Sequence, residues 1–436
     1  MKLLKRTIKR RQYLYASCLI FIIAVAAGGL FFFTNQNSQK TPNSWEMPYV
    51  GTAFCGSTVE EAKLLIDRVK TYTNLFVLDT GSSPISWNKT AVYEICDYAT
   101  SNGLSIILNV GTINQSSWFW NAETYDLRVQ KLNSTKQEWT TRWGAKFLGI
   151  YYNDEPGGIQ LDWDWNEWFA NNTSLLNTSH FQDMIDLRTI YANMLTANTT
   201  GVSPQDYNLE TKYFVEDNLQ NDRGLKPLRA AGIQTFTSDY ALYWFDYKGG
   251  YDVMWTQLGW NCSVTEQIDL VKGAARVQDK DWGAIVTWTF DQAPYLDSGN
   301  QIYTQMLTAY EAGAKYIVIF NYPVLQGNDY GIMNNDHFMA LQRLWNDITK
   351  QERNIPDLST PMAVLVLPNN YGWGMRRPDD VIWGFWGPDY KTLAIATITG
   401  TLLTQYGTQL DIVYDDPAYP ITQIDYQKIY YWNSTL

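Results

Sequence analysis

From Tyr49 onward, short apolar runs alternate with stretches of helical periodicity. The runs are Tyr49–Cys55, Asn74–Leu78, Leu104–Val110, Lys146–Tyr152, Gln234–Thr237, Val253–Leu258, Ala284–Phe290 and Tyr316–Phe320. Each has the length and β-branched or aromatic content of a buried strand. The stretch after the first run puts Leu64, Leu65 and Val69 on one helical face and Glu60, Glu61, Lys63, Asp67 and Arg68 on the other. Further helices are predicted at 89–101, with Gly103 as its stop, and at 121–143, 264–278, 300–313 and 335–350. Eight strand–helix units over about 300 residues predict an α/β fold, a (β/α)8 TIM barrel across 47–355. A doubly wound open sheet fits less well, because no G-x-G-x-x-G turn or P-loop occurs. The rhythm breaks across 159–225, read as an insertion after strand four with helices near 180–197 and 204–219.

After Pro356 a second β-α-β pattern follows. Met362–Leu367, a helix at 389–406, Asp411–Tyr414 and Lys428–Trp432 suggest a small flavodoxin-like segment over 356–436. It is either a truncated domain or a piece that packs on the barrel. At the other end, no charged residue occurs from Gln12 to Gln39. Tyr13–Phe33 has about the 20 residues that span a bilayer. Lys2, Lys5, Arg6, Lys9, Arg10 and Arg11 precede it, which places the N-terminus in the cytoplasm and the body outside. The chain therefore reads as a tail (1–12), a transmembrane signal anchor (13–33), a linker (34–46) and an extracellular body. Ala24-Val25-Ala26 resembles a signal-peptidase site, but the apolar run continues through Leu30–Phe33 and favours an uncleaved anchor. Nine N-x-[ST] sequons, at Asn88, Asn114, Asn133, Asn171, Asn172, Asn177, Asn198, Asn261 and Asn433, all follow the anchor and fit a glycoprotein carrying N-glycans. Outside the membrane, Cys55, Cys96 and Cys262 allow one disulfide or three buried thiols.

Charge narrows the function. The chain carries 33 Lys+Arg against 44 Asp+Glu. With the six basic tail residues set apart, 27 basic groups face 44 acidic ones. A body that acidic repels phosphate backbones, so no nucleic-acid partner is expected. With only His180 and His337, His-ligated zinc and Ser-His-Asp chemistry have little to draw on, and neither a metal nor another cofactor is expected. Aromatic residues are abundant: 19 Trp, 30 Tyr and 17 Phe.

Barrel chemistry stands at the C-terminal strand ends. This sequence puts Asp79, Asn109, Asp154 and Glu155, Asp239, Gln257 and Asn261, Asp291 and Asn321 there, with Trp118, Trp255, Trp260 and Trp288 on or near the same loops. Carboxylates that move protons, amides that bind hydroxyls and flat rings that stack on sugars are the parts of a glycoside hydrolase. The stretch Gly149-Ile-Tyr-Tyr-Asn-Asp-Glu-Pro-Gly-Gly158 resembles retaining barrel glycosidases, which carry an acid Glu after strand four, often as Asn-Glu-Pro. The resemblance implies Glu155 as general acid/base and Asp291, after Thr287-Trp288-Thr289-Phe290, as nucleophile or electrostatic partner. Here Asp154 replaces the family's Asn, and Asp291 replaces its strand-seven Glu. Asp-Glu-Pro also resembles the endo-mannosidase-like barrels, which do not use that pair. The C-terminal segment, with Ile382-Trp383-Gly384, is similar to the amidotransferase-like domain that follows the barrel in some β-galactosidase families. Asp154 is expected to raise the Glu155 pKa by like-charge repulsion. Asp79, Asn109, Asp239, Gln257, Asn261, Asn321 and the four tryptophans are the expected sugar-binding residues. The expectation is a membrane-anchored extracellular glycoside hydrolase acting on a poly- or oligosaccharide. The alternative is an inactive barrel that binds glycans at the cell surface.

Overall fold

The computed structural model describes residues 47–79, 83–111, 118–122, 124–163, 206–260, 262–322, 328–350 and 361–435. The predicted anchor at 13–33, Asn261 and most of the predicted insertion lie outside them. Among the described residues, no helix is long and apolar enough to cross a membrane.

Eight parallel strands close into a barrel: β1 (Tyr49–Phe54), β2 (Leu75–Asp79), β3 (Ser105–Asn109), β4 (Phe147–Tyr151), β5 (Thr235–Asp239), β6 (Val253–Leu258), β7 (Asp281–Val286) and β8 (Tyr316–Asn321). Each pairs with the next, and β8 returns to β1 from Tyr49↔Tyr316 to Phe54↔Asn321. The helices in chain order are α1 (Val59–Val69), α2 (Lys89–Ser101), α3 (Tyr125–Trp143), α4 (Pro156–Asp162), α5 (Tyr207–Lys212), α6 (Leu225–Ala230), α7 (Tyr243–Gly249), α8 (Val264–Val277), α9 (Gly299–Glu311) and α10 (Asn335–Lys350). Their starts follow from local chemistry. Thr58 and Glu61 form a capping box on α1, and Ser298 and Gln301 form another on α9.

Two apolar layers hold this together. Inside the barrel, Leu75, Val77, Ile107, Phe236, Val253, Trp255, Ile285, Tyr316 and Val318 interlock. The opposite faces of the same strands bury Phe76, Ile106, Ile150, Met254 and Ile317 against the helices. Burial on both faces explains why the strands read as continuous apolar runs.

Seven of the eight barrel strands lie within two residues of their predicted bounds. The seventh was placed too late: it ends at Val286, not Phe290. Trp288 and Phe290 kept the apolar pattern going, but the chain has already left the sheet. The Thr289 and Phe290 N–H groups both turn back to the Tyr295 carbonyl, at 2.7 and 3.0 Å. Cys55, Cys96 and Cys262 are all free thiols, so no disulfide joins them.

The C-terminal segment forms a parallel three-stranded sheet, order β10-β9-β11, from β9 (Ala363–Leu367), β10 (Leu410–Tyr414) and β11 (Lys428–Tyr431), with α11 (Tyr390–Tyr406). It packs on the barrel. Gly273 of α8 lies so close to β10 that a Cβ there would sit 2.6 Å from the Ile412 carbonyl oxygen. Beside it the Lys272 ammonium is buried, 2.9 Å from Asp269 and 3.4 Å from Asp411, and donates to the Leu410 carbonyl at 2.9 Å. Arg276 and Tyr426 complete the Asp411 shell at 2.7 and 2.9 Å.

Removing one member of such a buried set leaves charge without a partner. The Lys272→Ala variant is expected to lose about 3–5 kcal/mol of unfolding free energy in urea titration. A loss under about 1 kcal/mol would contradict a role for this set in holding the sheet to the barrel.

Candidate active site

The Asp-Glu-Pro-Gly-Gly stretch bends the chain out of β4 and into α4. Glu155 sits in the left-handed region (φ 52°), a conformation costing a non-glycine residue about 1–3 kcal/mol. Pro156 follows at the first helical position, where its ring is pre-set for a helix. The turn is held from the next strand. Asp239, at the end of β5, accepts from the Gly157 and Gly158 N–H groups at 2.6 and 2.9 Å, and from Tyr240 and Ala241 at 2.7 and 3.2 Å. The Tyr240 ring lies flush on α4, since a Cβ on Gly158 would come within 2.1 Å of it. The glycines are therefore packing requirements of this bend.

The Glu155 carboxylate accepts from Gln257 Nε2 at 2.7 Å. The same amide reaches Ser238 Oγ at 3.0 Å. Ser238 Oγ donates to Asp154 Oδ1 at 3.1 Å and stands 2.8 Å from the Tyr151 hydroxyl, which also donates to Asp154. On the other side of the mouth, Asp79 accepts from Asn109 Nδ2 at 2.7 Å and from the Cys55 thiol at 3.6 Å. The ends of β1 to β3 thus build one hydrogen-bonded group around Asp79 and those of β4 to β6 another around Asp154 and Glu155, and the two groups feel each other's charge.

Its members do not titrate alike. Burial, then the Asp154 charge, pushes the Asp79 carboxyl up to about 7. Burial, then the same charge, pushes Glu155 up to about 7. Burial also raises Asp154, against the Tyr151 and Ser238 hydrogen bonds that favour its charged form. Asp154 nevertheless has an open, solvent-exposed side. Hydroxyl donors and water make it the best seat for the negative charge, and its two neighbours then keep their protons near neutrality.

Glu155 opens into a cavity of about 560 Å³, lined with Asp162, Tyr240, Trp260, Cys262, Arg376 and Arg377. Trp260 is 45 % exposed, held at φ 53°, and also walls a second, shallower cavity of about 570 Å³. Asp291 lies in that second cavity with Phe290 and Gln292. It is exposed, five residues beyond β7, and does not line the Glu155 cavity. The expected strand-seven partner therefore does not share Glu155's cavity, because β7 ends early.

The structure places the other expected sugar contacts as follows. Trp255 is fully buried among Tyr151, Phe236 and Tyr316, so it is barrel core. Trp118 packs between α2 and α3 against Tyr93 and Trp139, its indole N–H on the Ser86 carbonyl. Asp239 is fully buried and holds the α4 bend. Asn321 is 1 % exposed. Gln257 is 5 % exposed and turned to Glu155. Trp288 is half-buried against Tyr295, Phe320 and Tyr322 on the β7–β8 rim. Tyr151, Ser238 and Tyr240 escaped the sequence reading although they adjoin the strand-end positions it considered. Arg376 and Arg377 carried no local signal, because the C-terminal segment brings them in.

The raised Glu155 pKa fixes a sign. From its ordinary 4.5 it rises to about 7, so the folded state holds the proton more tightly. That stabilisation is complete below about pH 4 and is lost as the pH climbs through about 7. Thermal unfolding of the Glu155→Gln variant should therefore show it more stable than the parent at about pH 8, by about 1–3 kcal/mol, with little gain at about pH 4. A variant less stable than the parent at the higher pH would contradict the protonated assignment.

No family model matches this chain, and no curated protein matches it. Among solved structures it is similar to a GH5_18 protein from Streptomyces cattleya in complex with Manβ1-4GlcNAc, at 10 % identity, covering 88 % of this chain and 99 % of that one, TM-score 0.48. It is also similar to the catalytic module of a family 98 glycoside hydrolase from Streptococcus pneumoniae, at 12 % identity, covering 89 % and 65 %, TM-score 0.41. A third is the GH99 endo-α-mannosidase from Bacteroides thetaiotaomicron, at 10 % identity, covering 68 % and 81 %, TM-score 0.36. These structural neighbours are glycoside hydrolases; the (β/α)8 barrel of this chain is established by its own strand pairing.

Proposed function

We propose that this chain is a glycoside hydrolase whose general acid is Glu155. The carrying observation is that Glu155, in a strained bend beyond β4, faces an open cavity with its pKa near 7 and an ionisable neighbour, Asp154, tied to hydroxyl donors. A carboxylic acid poised near neutrality beside a carboxylate that keeps its charge is the division of labour that glycosidic cleavage needs. Glu155 would protonate the leaving oxygen. Asp154, which does not line that cavity, would act through its charge on Glu155, and Gln257 would orient the acid. Trp260, exposed between the two cavities, is the ring best placed to stack on a sugar. Asp291 falls to a peripheral binding role in the second cavity.

The apolar run at 13–33 and the sequons that follow it support a membrane-anchored, outward-facing enzyme acting on extracellular poly- or oligosaccharide. The separation of Asp291 from the Glu155 cavity favours the second reading, a barrel that binds a surface glycan without cleaving it.

The test incubates the body of the chain, residues 41–436, with aryl glycosides and polysaccharides. The parent should release sugar, and Glu155→Gln should lose about a hundred-fold or more in rate on substrates with poor leaving groups. Asp291→Asn should stay within about threefold of the parent. Because the acid must be protonated, turnover should fall as the pH rises past about 7. Glycan binding without release by the parent would transfer the assignment to the surface-binding reading.

A further inference from the structure

The helix that starts at Glu155 is held at its far end by the C-terminal segment. Asp162, the last residue of α4, receives Arg376 Nη1 on Oδ2 at 2.7 Å and Arg376 Nη2 on Oδ1 at 2.9 Å. The same guanidinium is anchored on its other edge by Asp380, at 2.8 Å from Nε and 2.7 Å from Nη2. Asp380 is fully buried and Arg376 is 12 % exposed. Tyr240 lies beside the guanidinium, 5.3 Å from ring centre to Cζ, and donates to Asp162 at 2.9 Å. Two residues back, Gln160 Nε2 donates to the Trp383 carbonyl at 3.0 Å. The segment's own position is fixed elsewhere, by the Lys272–Asp411–Arg276 set on α8.

We propose that Arg376 is a positioning residue of the active site, through which the C-terminal segment clamps α4 and so fixes the bend that presents Glu155. This rests on the glycosidase reading for its kinetic arm only. The helix has seven residues, about 10 Å of rigid rod, so a shift at Asp162 is passed to Glu155. The left-handed backbone of Glu155 persists only if its surroundings over-determine it. Asp239 holds one end of α4 and Arg376 the other. Arg376 also neutralises Asp162, whose charge otherwise raises the Glu155 pKa. Glu155, Tyr240, Cys262 and Arg377 share the cavity with this pair, Asp380 holds the guanidinium, Asp379 pairs with Arg377, and Asp154 and Asp239 act by charge on Glu155.

The test compares the full-length protein with its Arg376→Ala, Arg376→Lys and Asp162→Asn variants. Hydrogen exchange should run at least about tenfold faster across 156–162 in Arg376→Ala and Asp162→Asn, with Arg376→Lys between them and the parent and β6 unchanged. In kinetics, Arg376→Ala should lose about tenfold or more, mainly in kcat, and its alkaline limb should move to higher pH, because Asp162 is left uncompensated. Asp162→Asn should lose rate without that upward move. Unchanged exchange across 156–162 in both Arg376→Ala and Asp162→Asn would overturn the clamp, whether or not the protein hydrolyses anything. Faster exchange with unaltered kcat and pH limb would overturn the positioning role. If the parent cleaves no glycoside, the glycosidase reading fails and the exchange result alone decides the clamp.

Discussion

Like charges repel more strongly as water is withdrawn, and the mouth of this barrel brings Asp79, Asp154 and Glu155 into one enclosed cluster. The rest of the site follows from how that repulsion is relieved. Asp154 is offered two hydroxyl donors and an open side, so the charge settles there. Burial, and after it the Asp154 charge, raises the pKa of Asp79 and of Glu155 to about 7. Two acids with pKa values raised to about 7 thus stand near a carboxyl group supplied with hydroxyl donors.

Holding such a cluster costs stability, and the architecture supplies rigidity in return. The Glu155 backbone is strained, and it is pinned by Asp239 through α4's first N–H groups. The far end of α4 is pinned by Arg376, which belongs to the loop between β9 and α11 of the C-terminal segment. The small parallel sheet is therefore more than an appendage: it packs on α8 and reaches back to the cavity wall. Barrel and C-terminal segment build one site, with the segment supplying the cationic edge of an otherwise acidic cleft.

Much of this fold was legible in the chain. Strands buried on both faces wrote themselves as apolar runs, and their number implied closure. The error at β7 came from Trp288 and Phe290, aromatic residues that serve the rim rather than the sheet. It carried Asp291 with it, since a carboxylate was assigned to a strand end that lies five residues earlier. The bend at Glu155 was legible because it needs Pro156 and two glycines in sequence. Trp255 and Trp118 were misread because composition cannot tell a core tryptophan from a rim one; only burial can. Arg376 was illegible in principle: its partner Asp162 lies over two hundred residues away in the chain, and nothing local to either reveals the pair.

The claim beneath all of this is that Glu155 keeps its proton near neutrality while Asp154 is charged. Infrared difference spectroscopy between the parent and Glu155→Gln at about pH 6 addresses it without any substrate. The account predicts a protonated carboxyl carbonyl band in the parent that is missing from the variant. A difference spectrum holding only carboxylate bands would contradict it.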